Sequence, residues 1–103
     1  MDRIENLMKF LKDKPRDNFR QHALALENIK QGNDSAARQL FEIILQREPV
    51  YIGSYYHLAK LLERIGEREA AVSCYVKGID EAKKAGDNHA LNELKSAYEE
   101  LIY

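Results

Sequence analysis

Hydrophobic residues recur every three or four positions along nearly the whole chain, and glycine or proline interrupts the pattern at short intervals. Such spacing is typical of helices that bury one side. The pattern therefore predicts an all-α fold of about six helices without strands. The predicted helices are residues 2–13, 18–31, 34–48, 52–65, 68–84 and 87–102.

Short polar residues stand where several of these helices should begin. We predict that Asp2 caps the first helix and that either Asp17 or Asn18 caps the second. Asp34 is predicted to cap the third helix, because a side-chain oxygen there can accept a hydrogen bond from a free backbone N–H. Gly32 is predicted to end the second helix in the left-handed backbone conformation.

Two segments of the chain are similar at an offset of 34 residues. The shared positions are small, apolar or chain-breaking, as a repeated helix-turn-helix unit requires. Phe41 also matches the aromatic Tyr75 one period later. The identical positions, each repeated 34 residues on, are Pro15, Leu24, Ala25, Gly32, Ala36 and Ala37.

The repeated pattern resembles the tetratricopeptide repeat, a 34-residue helix-turn-helix unit. The second copy fills the signature of that family more completely than the first, in which Gln21 and Asn28 occupy the two aromatic positions of the first helix. The matching residues of the second copy are Tyr55, Leu58, Ala59, Leu62, Ala71, Tyr75 and Gly78.

The resemblance implies an α-α superhelix formed by a single domain, residues 1–103. Its parts are an N-terminal helix, two repeats and a C-terminal capping helix, at residues 1–14, 18–49, 52–85 and 87–103. Lys95 occupies a position that is small in a complete repeat, so no further helix should pack across it. We therefore expect the last helix to have a polar outer face, as the end of a helical array does.

In this family, the first helices of successive repeats line a concave face that holds a peptide or helix of a partner. The resemblance therefore implies an adaptor or scaffold that binds another protein. Besides Ala23 and Gly53, the outward positions of these helices are the predicted partner-binding residues. They are Phe19, His22, Leu26 and Lys30 in the first copy, and Tyr56, His57, Lys60 and Arg64 in the second.

This predicted face is aromatic and basic. Its cations suggest contact with an acidic side chain or a terminal carboxylate, and its rings offer apolar area. The alternative interpretation of these Lys and Arg residues is that they are ordinary solvated residues of an exposed helix surface. A second interpretation of the function is homo-oligomerisation without a separate peptide ligand, because two repeats form only a shallow groove. In that case residues 1–14 or the Tyr98–Tyr103 end would join two copies.

Charge and composition narrow the classes of function. The 16 Lys and Arg residues nearly balance the 17 Asp and Glu residues, so we expect neither nucleic acid nor a membrane as partner. No long apolar segment or signal-peptide pattern occurs, and we expect a cytoplasmic protein. The single cysteine, Cys74, excludes an internal disulfide and is expected to be packed and inert.

We expect neither catalysis nor a cofactor. The chain has no glycine-rich phosphate loop, no HExxH motif and no serine nucleophile elbow. His22, His57 and His89 fall on successive first-type helices and form a conceivable zinc set. Their spacing is not that of a compact ligand motif, however, so no metal is predicted.

Overall fold

The computed structural model describes residues 2–103, which contain six α-helices and no strand. The all-α prediction is confirmed. The described chain divides into two compact units, the first ending at Arg47 and the second comprising Glu48–Tyr103. The grouping of the helices into one domain stays a prediction. The helices are α1 (Arg3–Asp13), α2 (Asn18–Lys30), α3 (Asp34–Arg47), α4 (Gly53–Arg64), α5 (Arg68–Ala85) and α6 (Asn88–Ile102).

Aspartates cap the first two helices. The Asp2 side chain accepts a hydrogen bond from the backbone N–H of Glu5 at 2.8 Å, as predicted. Asp17 accepts one from the backbone N–H of Arg20 at 2.9 Å. Asp17, rather than Asn18, is therefore the cap of α2.

The predicted cap of α3 is wrong by one residue. Helix α3 begins at Asp34, and the side-chain oxygen of Asn33 accepts from the backbone N–H of Ala36 at 3.4 Å. Gly32 has a φ of 77°, so the chain reverses its direction directly before Asn33. Asn33 is consequently the first residue whose side chain can reach the free N–H groups of the helix.

In the first unit, α2 packs against both α1 and α3. Ala25 on α2 and Ala37 on α3 are fully buried, as are Phe41 and Ile44. The two alanines allow the helix backbones to approach closely, because a methyl group occupies little of the space between crossing helices. Phe41 and Ile44 then fill the interior beside this close approach.

The two polar residues in aromatic positions of the first repeat are buried and hydrogen-bonded. The Gln21 amide nitrogen donates to the carbonyl oxygen of Pro15 at 2.6 Å. The Tyr55 hydroxyl donates to the carbonyl oxygen of Pro49 at the same 2.6 Å, one period later. Asn28 donates to the backbone carbonyl one turn earlier, at 3.0 Å. The repeats thus make an equivalent helix-to-loop hydrogen bond with different side chains.

In the second unit, α5 packs against both α4 and α6. Tyr75 and Ala71 of α5 are fully buried, and Tyr55 of α4 is almost so. Gly78 of α5 lies against Tyr55, because a Cβ built on this glycine would be 2.7 Å from the Tyr55 Cβ. The glycine therefore creates the space that the Tyr55 ring requires.

The outer face of α6 is less polar than predicted. Lys95 is exposed, as expected. A groove of about 440 Å³ nevertheless runs between α5 and α6, with Val76 and Ile79 on α5, and Tyr98 and Ile102 on α6, among its lining residues. An aliphatic and aromatic surface therefore lies beside the charged residues at this end of the second unit.

Candidate functional site

The predicted partner-binding residues lie on two helices, α2 in the first unit and α4 in the second. On α2, Phe19 is 66% exposed and Lys30 is also exposed, whereas Leu26 is half-buried. Ala23, predicted to point outward, is buried. A methyl group lies close to the helix backbone and is covered more readily than a long side chain. Of the outward positions predicted on α2, Phe19 and Lys30 are the exposed ones.

Phe19 is the most exposed aromatic side chain on α2, and it has a cationic neighbour. The Arg20 guanidinium lies 5.4 Å from the centre of the Phe19 ring and 4.5 Å from the centre of the Phe10 ring on α1. Both distances are within the range of a cation–π interaction. Phe19 thus combines exposed apolar area with a positive charge that α1 helps to position.

Arg20 is not among the outward positions predicted from the repeat. Its position next to Phe19 was visible in the sequence, but its contact with Phe10 spans ten residues and depends on how α1 packs against α2.

His22 contributes partly to packing. Its ring meets the ring of the buried Phe41 edge-on, with centres 5.4 Å apart and an angle of 66° between the planes. Such an arrangement is favourable for aromatic rings. Part of the His22 ring is therefore used in packing against Phe41.

Lys30 belongs to a small charge cluster. Its Nζ lies 3.4 Å from Oε1 of Glu27, and the same oxygen lies 2.9 Å from Nε of Arg3 on α1. Two cations therefore share one carboxylate, which leaves a net charge of about +1 on the cluster. The basic character predicted for Lys30 is reduced but not removed.

On α4, Tyr56, His57 and Lys60 form a continuous outward surface. The Tyr56 and His57 rings meet edge-on, with centres 5.6 Å apart. The Lys60 Nζ lies 5.9 Å from the centre of the Tyr56 ring. Arg64, one turn further along α4, is exposed. Aromatic and cationic groups are therefore adjacent on this helix.

Glu63 adds an acidic group to the α4 face and is not among the outward positions predicted from the repeat. Its carboxylate lies 3.8 Å from Nζ of Lys60. The hydroxyl of the buried Tyr75 also donates a hydrogen bond to Glu63. Glu63 thus connects the outward lysine to the core of the second unit. The Lys60 interaction could have been found from its spacing of three residues, but the Tyr75 interaction depends on helix packing.

The two buried tyrosines remain neutral hydrogen-bond donors at physiological pH. Burial, together with the Glu81 carboxylate and Cys74, raises the pKa of Tyr55 to about 12. Burial is also the largest cause of the raised pKa of Tyr75, followed by its hydrogen bond to Glu63. Both effects disfavour the phenolate, so each hydroxyl keeps its proton.

His57 is subject to two opposing effects. Burial lowers its pKa below the ordinary 6.5, and the negative charge of Glu93 on α6 partly opposes this shift. The net effect favours neutral imidazole, which carries both a donor and an acceptor nitrogen. The carboxylate of Glu93 gives the surroundings of His57 an acidic component that the outward positions of α4 alone did not reveal.

This lowered pKa predicts a specific pH dependence of stability. Because the folded state disfavours protonated His57, its contribution to stability is present above pH 6.5 and is lost as the pH falls through the folded-state pKa. Acidification from about pH 8 to pH 5 should therefore reduce the free energy of unfolding more in the wild type than in His57→Asn. Urea denaturation at each pH measures the difference.

The matched control for this experiment is His89→Asn, which changes an exposed histidine at the start of α6. This variant should follow the wild-type pH dependence. If His57→Asn lost stability on acidification as steeply as the wild type, His57 would not be the responsible group.

Two other kinds of site were considered in the sequence, a reactive cysteine and a metal site. Cys74 Sγ donates to the backbone carbonyl of Tyr55 at 3.4 Å, which places the thiol in the packing between α4 and α5. Within residues 2–103, no group of three or more His, Cys, Asp or Glu side chains is arranged to hold a metal ion.

None of the six helices in the described chain combines the length and hydrophobicity of a membrane-spanning segment.

The fold and the outward helix faces define an all-α helical-repeat protein. A tetratricopeptide repeat domain protein from Salinibacter ruber, solved by NMR in solution, is 40% identical and has a TM-score of 0.81; the match covers 84% of this chain and 88% of that one. A crystal structure of a tetratricopeptide repeat domain protein from the same organism is also 40% identical, with a TM-score of 0.79 and coverage of 82% and 94%. The chain therefore belongs to the tetratricopeptide repeat family.

A solution structure of a protein from Bordetella parapertussis shares the fold at 22% identity, with a TM-score of 0.85 and coverage of 99% of this chain and 89% of that one. No family model and no curated protein matches the chain. The tetratricopeptide repeat fold generally mediates protein–protein interaction. A protein-interaction module is therefore the general class of function that the fold indicates for this chain.

Proposed function

We propose that this protein binds a peptide or helix of a partner protein through the outward faces of α2 and α4. The observation that carries the proposal is the adjacent set of aromatic and cationic side chains on α4, formed by Tyr56, Lys60 and Arg64. Aromatic and arginine side chains often contribute strongly to protein interfaces. The preferred ligand has an apolar side chain for Tyr56 and a carboxylate for the cations.

Contacts already present on α4 support this choice of ligand. Lys60 is held near the Tyr56 ring and the Glu63 carboxylate before any ligand binds. A restrained side chain loses less conformational entropy on binding than a mobile one. Lys60 and Arg64 are the two cations of the α4 face, and the Lys60 Nζ already lies 3.8 Å from the Glu63 carboxylate.

The α2 face offers a second point of attachment with similar chemistry. Phe19 presents an exposed ring, with the Arg20 guanidinium on one side of it. Lys30 lies at the other end of the helix, in a cluster with a net positive charge. A ligand that combines apolar and acidic residues would suit α2 as well as α4.

Peptide selection followed by charge reversal tests this proposal. Peptides selected from a displayed random library on the purified protein are expected to be rich in acidic and apolar residues. The double variant Lys60→Glu and Arg64→Glu should weaken their binding by at least about tenfold, because attraction to the ligand carboxylate becomes repulsion. Isothermal titration calorimetry measures the affinities.

The matched control is the double reversal of Lys9 and Lys12 to Glu, on exposed positions of α1 outside the proposed face. It changes the net charge of the protein by the same amount and should leave affinity nearly unchanged at physiological salt. Equal losses in both double variants would indicate a general effect of net charge. Unchanged binding to the α4 variant would contradict the proposed face.

A further inference from the structure

The groove between α5 and α6 is a partly apolar surface outside the proposed peptide-binding face. Val76, on its α5 side, is 49% exposed, and Tyr103 at its α6 end is 96% exposed. The groove has a volume of about 440 Å³, and two of its lining residues, Lys95 and Glu99, carry opposite charges. It therefore combines uncovered hydrophobic area with one cation and one anion on the same helix.

Helix geometry separates this surface from the side of α6 that interacts with α4. Lys95, Tyr98, Glu99 and Ile102 follow the three- and four-residue spacing of a single helix face. Glu93, which influences His57 on α4, is two residues before Lys95 and therefore lies about 200° away around the helix. A partner on the groove would leave the α4 face accessible.

The positions of the two charges identify the kind of partner. Lys95 and Glu99 are each two residues from Ala97, on opposite sides of it in the sequence. Ala97 itself is buried on the other side of α6. If two copies of α6 pack antiparallel through the groove face, about a two-fold axis at the level of Ala97 along the helix, Lys95 of each copy lies opposite Glu99 of the other. A two-fold interface requires such self-complementarity, since both partners present the same surface.

We propose that the α5–α6 groove is a homodimer interface, in which α6 packs antiparallel against α6 of a second copy. Tyr98 lies near the two-fold axis, and Ile102 with Val76 and Ile79 provides the apolar contact area. The two equivalent Lys95–Glu99 pairs set the register and orientation of the helices. Within residues 2–103, neither member of this pair already has a salt-bridge partner.

A second groove on the molecule lacks this property. It lies within the first unit and has a volume of about 610 Å³, with Ile4, Met8, Leu40 and Ile43 among its lining residues. None of its lining residues is charged. It therefore offers no arrangement of charges that would select a second copy, and the α5–α6 groove is the better match for one.

Sedimentation equilibrium of charge variants tests the dimer. The wild type should associate reversibly as its concentration is raised into the millimolar range. Lys95→Glu and Glu99→Lys should each raise the dimer dissociation constant about tenfold, because two attractive pairs become repulsive. The double variant Lys95→Glu/Glu99→Lys should restore wild-type association, since the attractive pairs return with their signs exchanged.

Mixing the two single variants provides an independent result. The Lys95→Glu chain carries two acidic groups on the groove face of α6, and the Glu99→Lys chain carries two basic groups there. Their equimolar mixture should form a heterodimer more tightly than either variant associates with itself. Glu100→Lys is the same substitution one residue away, outside the groove face of α6, and should leave association unchanged.

Thermal unfolding of every variant verifies that these exposed substitutions preserve the fold. A wild type that stays monomeric into the millimolar range would overturn the proposal. Equal effects of Glu99→Lys and Glu100→Lys would also overturn it, as would a mixture of single variants that gains no association. A partner protein that binds this groove while the chain itself remains monomeric would replace the second copy as occupant.

Discussion

Replacement of Tyr75 by alanine is expected to lower the free energy of unfolding by about 3–5 kcal/mol, as is typical for loss of a large buried aromatic side chain. Tyr75 is fully buried, and its hydroxyl donates to Glu63 on α4. The substitution removes the ring from the core between α4 and α5, and it also removes that hydrogen bond. Urea denaturation followed by circular dichroism measures the loss.

Tyr75→Phe separates the contribution of the ring from that of the hydroxyl. Phenylalanine already occupies the equivalent position of the first repeat, where Phe41 is fully buried. The variant should therefore lose only about 1 kcal/mol, because Glu63 keeps Lys60 nearby and is partly accessible to water. Equal losses for the two variants would assign the effect to the hydrogen bond, contrary to our prediction.

Gly78→Ala is expected to destabilise the protein by a net amount of up to about 2 kcal/mol, because an overpacking cost of about 1–3 kcal/mol is partly offset by the better helix propensity of alanine. An added Cβ would lie 2.7 Å from Cβ and 2.9 Å from Cγ of Tyr55. These atoms are close to the Tyr55 backbone and cannot move away by a simple rotation of the side chain. Overpacking should therefore exceed the gain of about 1 kcal/mol from helix propensity. Chemical denaturation gives the net effect.

Gly53→Ala is the matched control, because Gly53 is also helical but a Cβ built on it meets no atom within 4 Å. This variant should be neutral or more stable by up to about 1 kcal/mol. A stabilised Gly78→Ala protein would show that α5 can move away from α4 at little cost. The close approach at Gly78 would then not constrain the second unit.

Local sequence signals accounted for most of the helix positions. The spacing of apolar residues located the six helices, and glycines located turns such as that at Gly32, which has a positive φ. The error at the start of α3 is small and has a local cause. Asn33 and Asp34 are both good caps, and the backbone turn at Gly32 makes Asn33 the residue that functions as one.

The aromatic and basic character of α4 was also predictable, because Tyr56, Lys60 and Arg64 have helical spacing. The interactions that modify this character were harder to predict from the sequence. Glu63 is three residues from Lys60, but its hydrogen bond from Tyr75 joins α4 to α5. Glu93 influences His57 from α6, 36 residues away in the sequence. Such interactions depend on which helix faces pack together.

The sequence by itself determined the helices, the 34-residue repeat and the residues that carry aromatic and charged groups, because periodicity and turn formation are properties of neighbouring residues. Only the tertiary structure decided which charged groups are paired, for example Lys30 with Glu27. It also brought Val76 and Tyr98 together in one open groove. Both depend on distances between side chains on packed helices, which the spacing of residues along one helix does not specify.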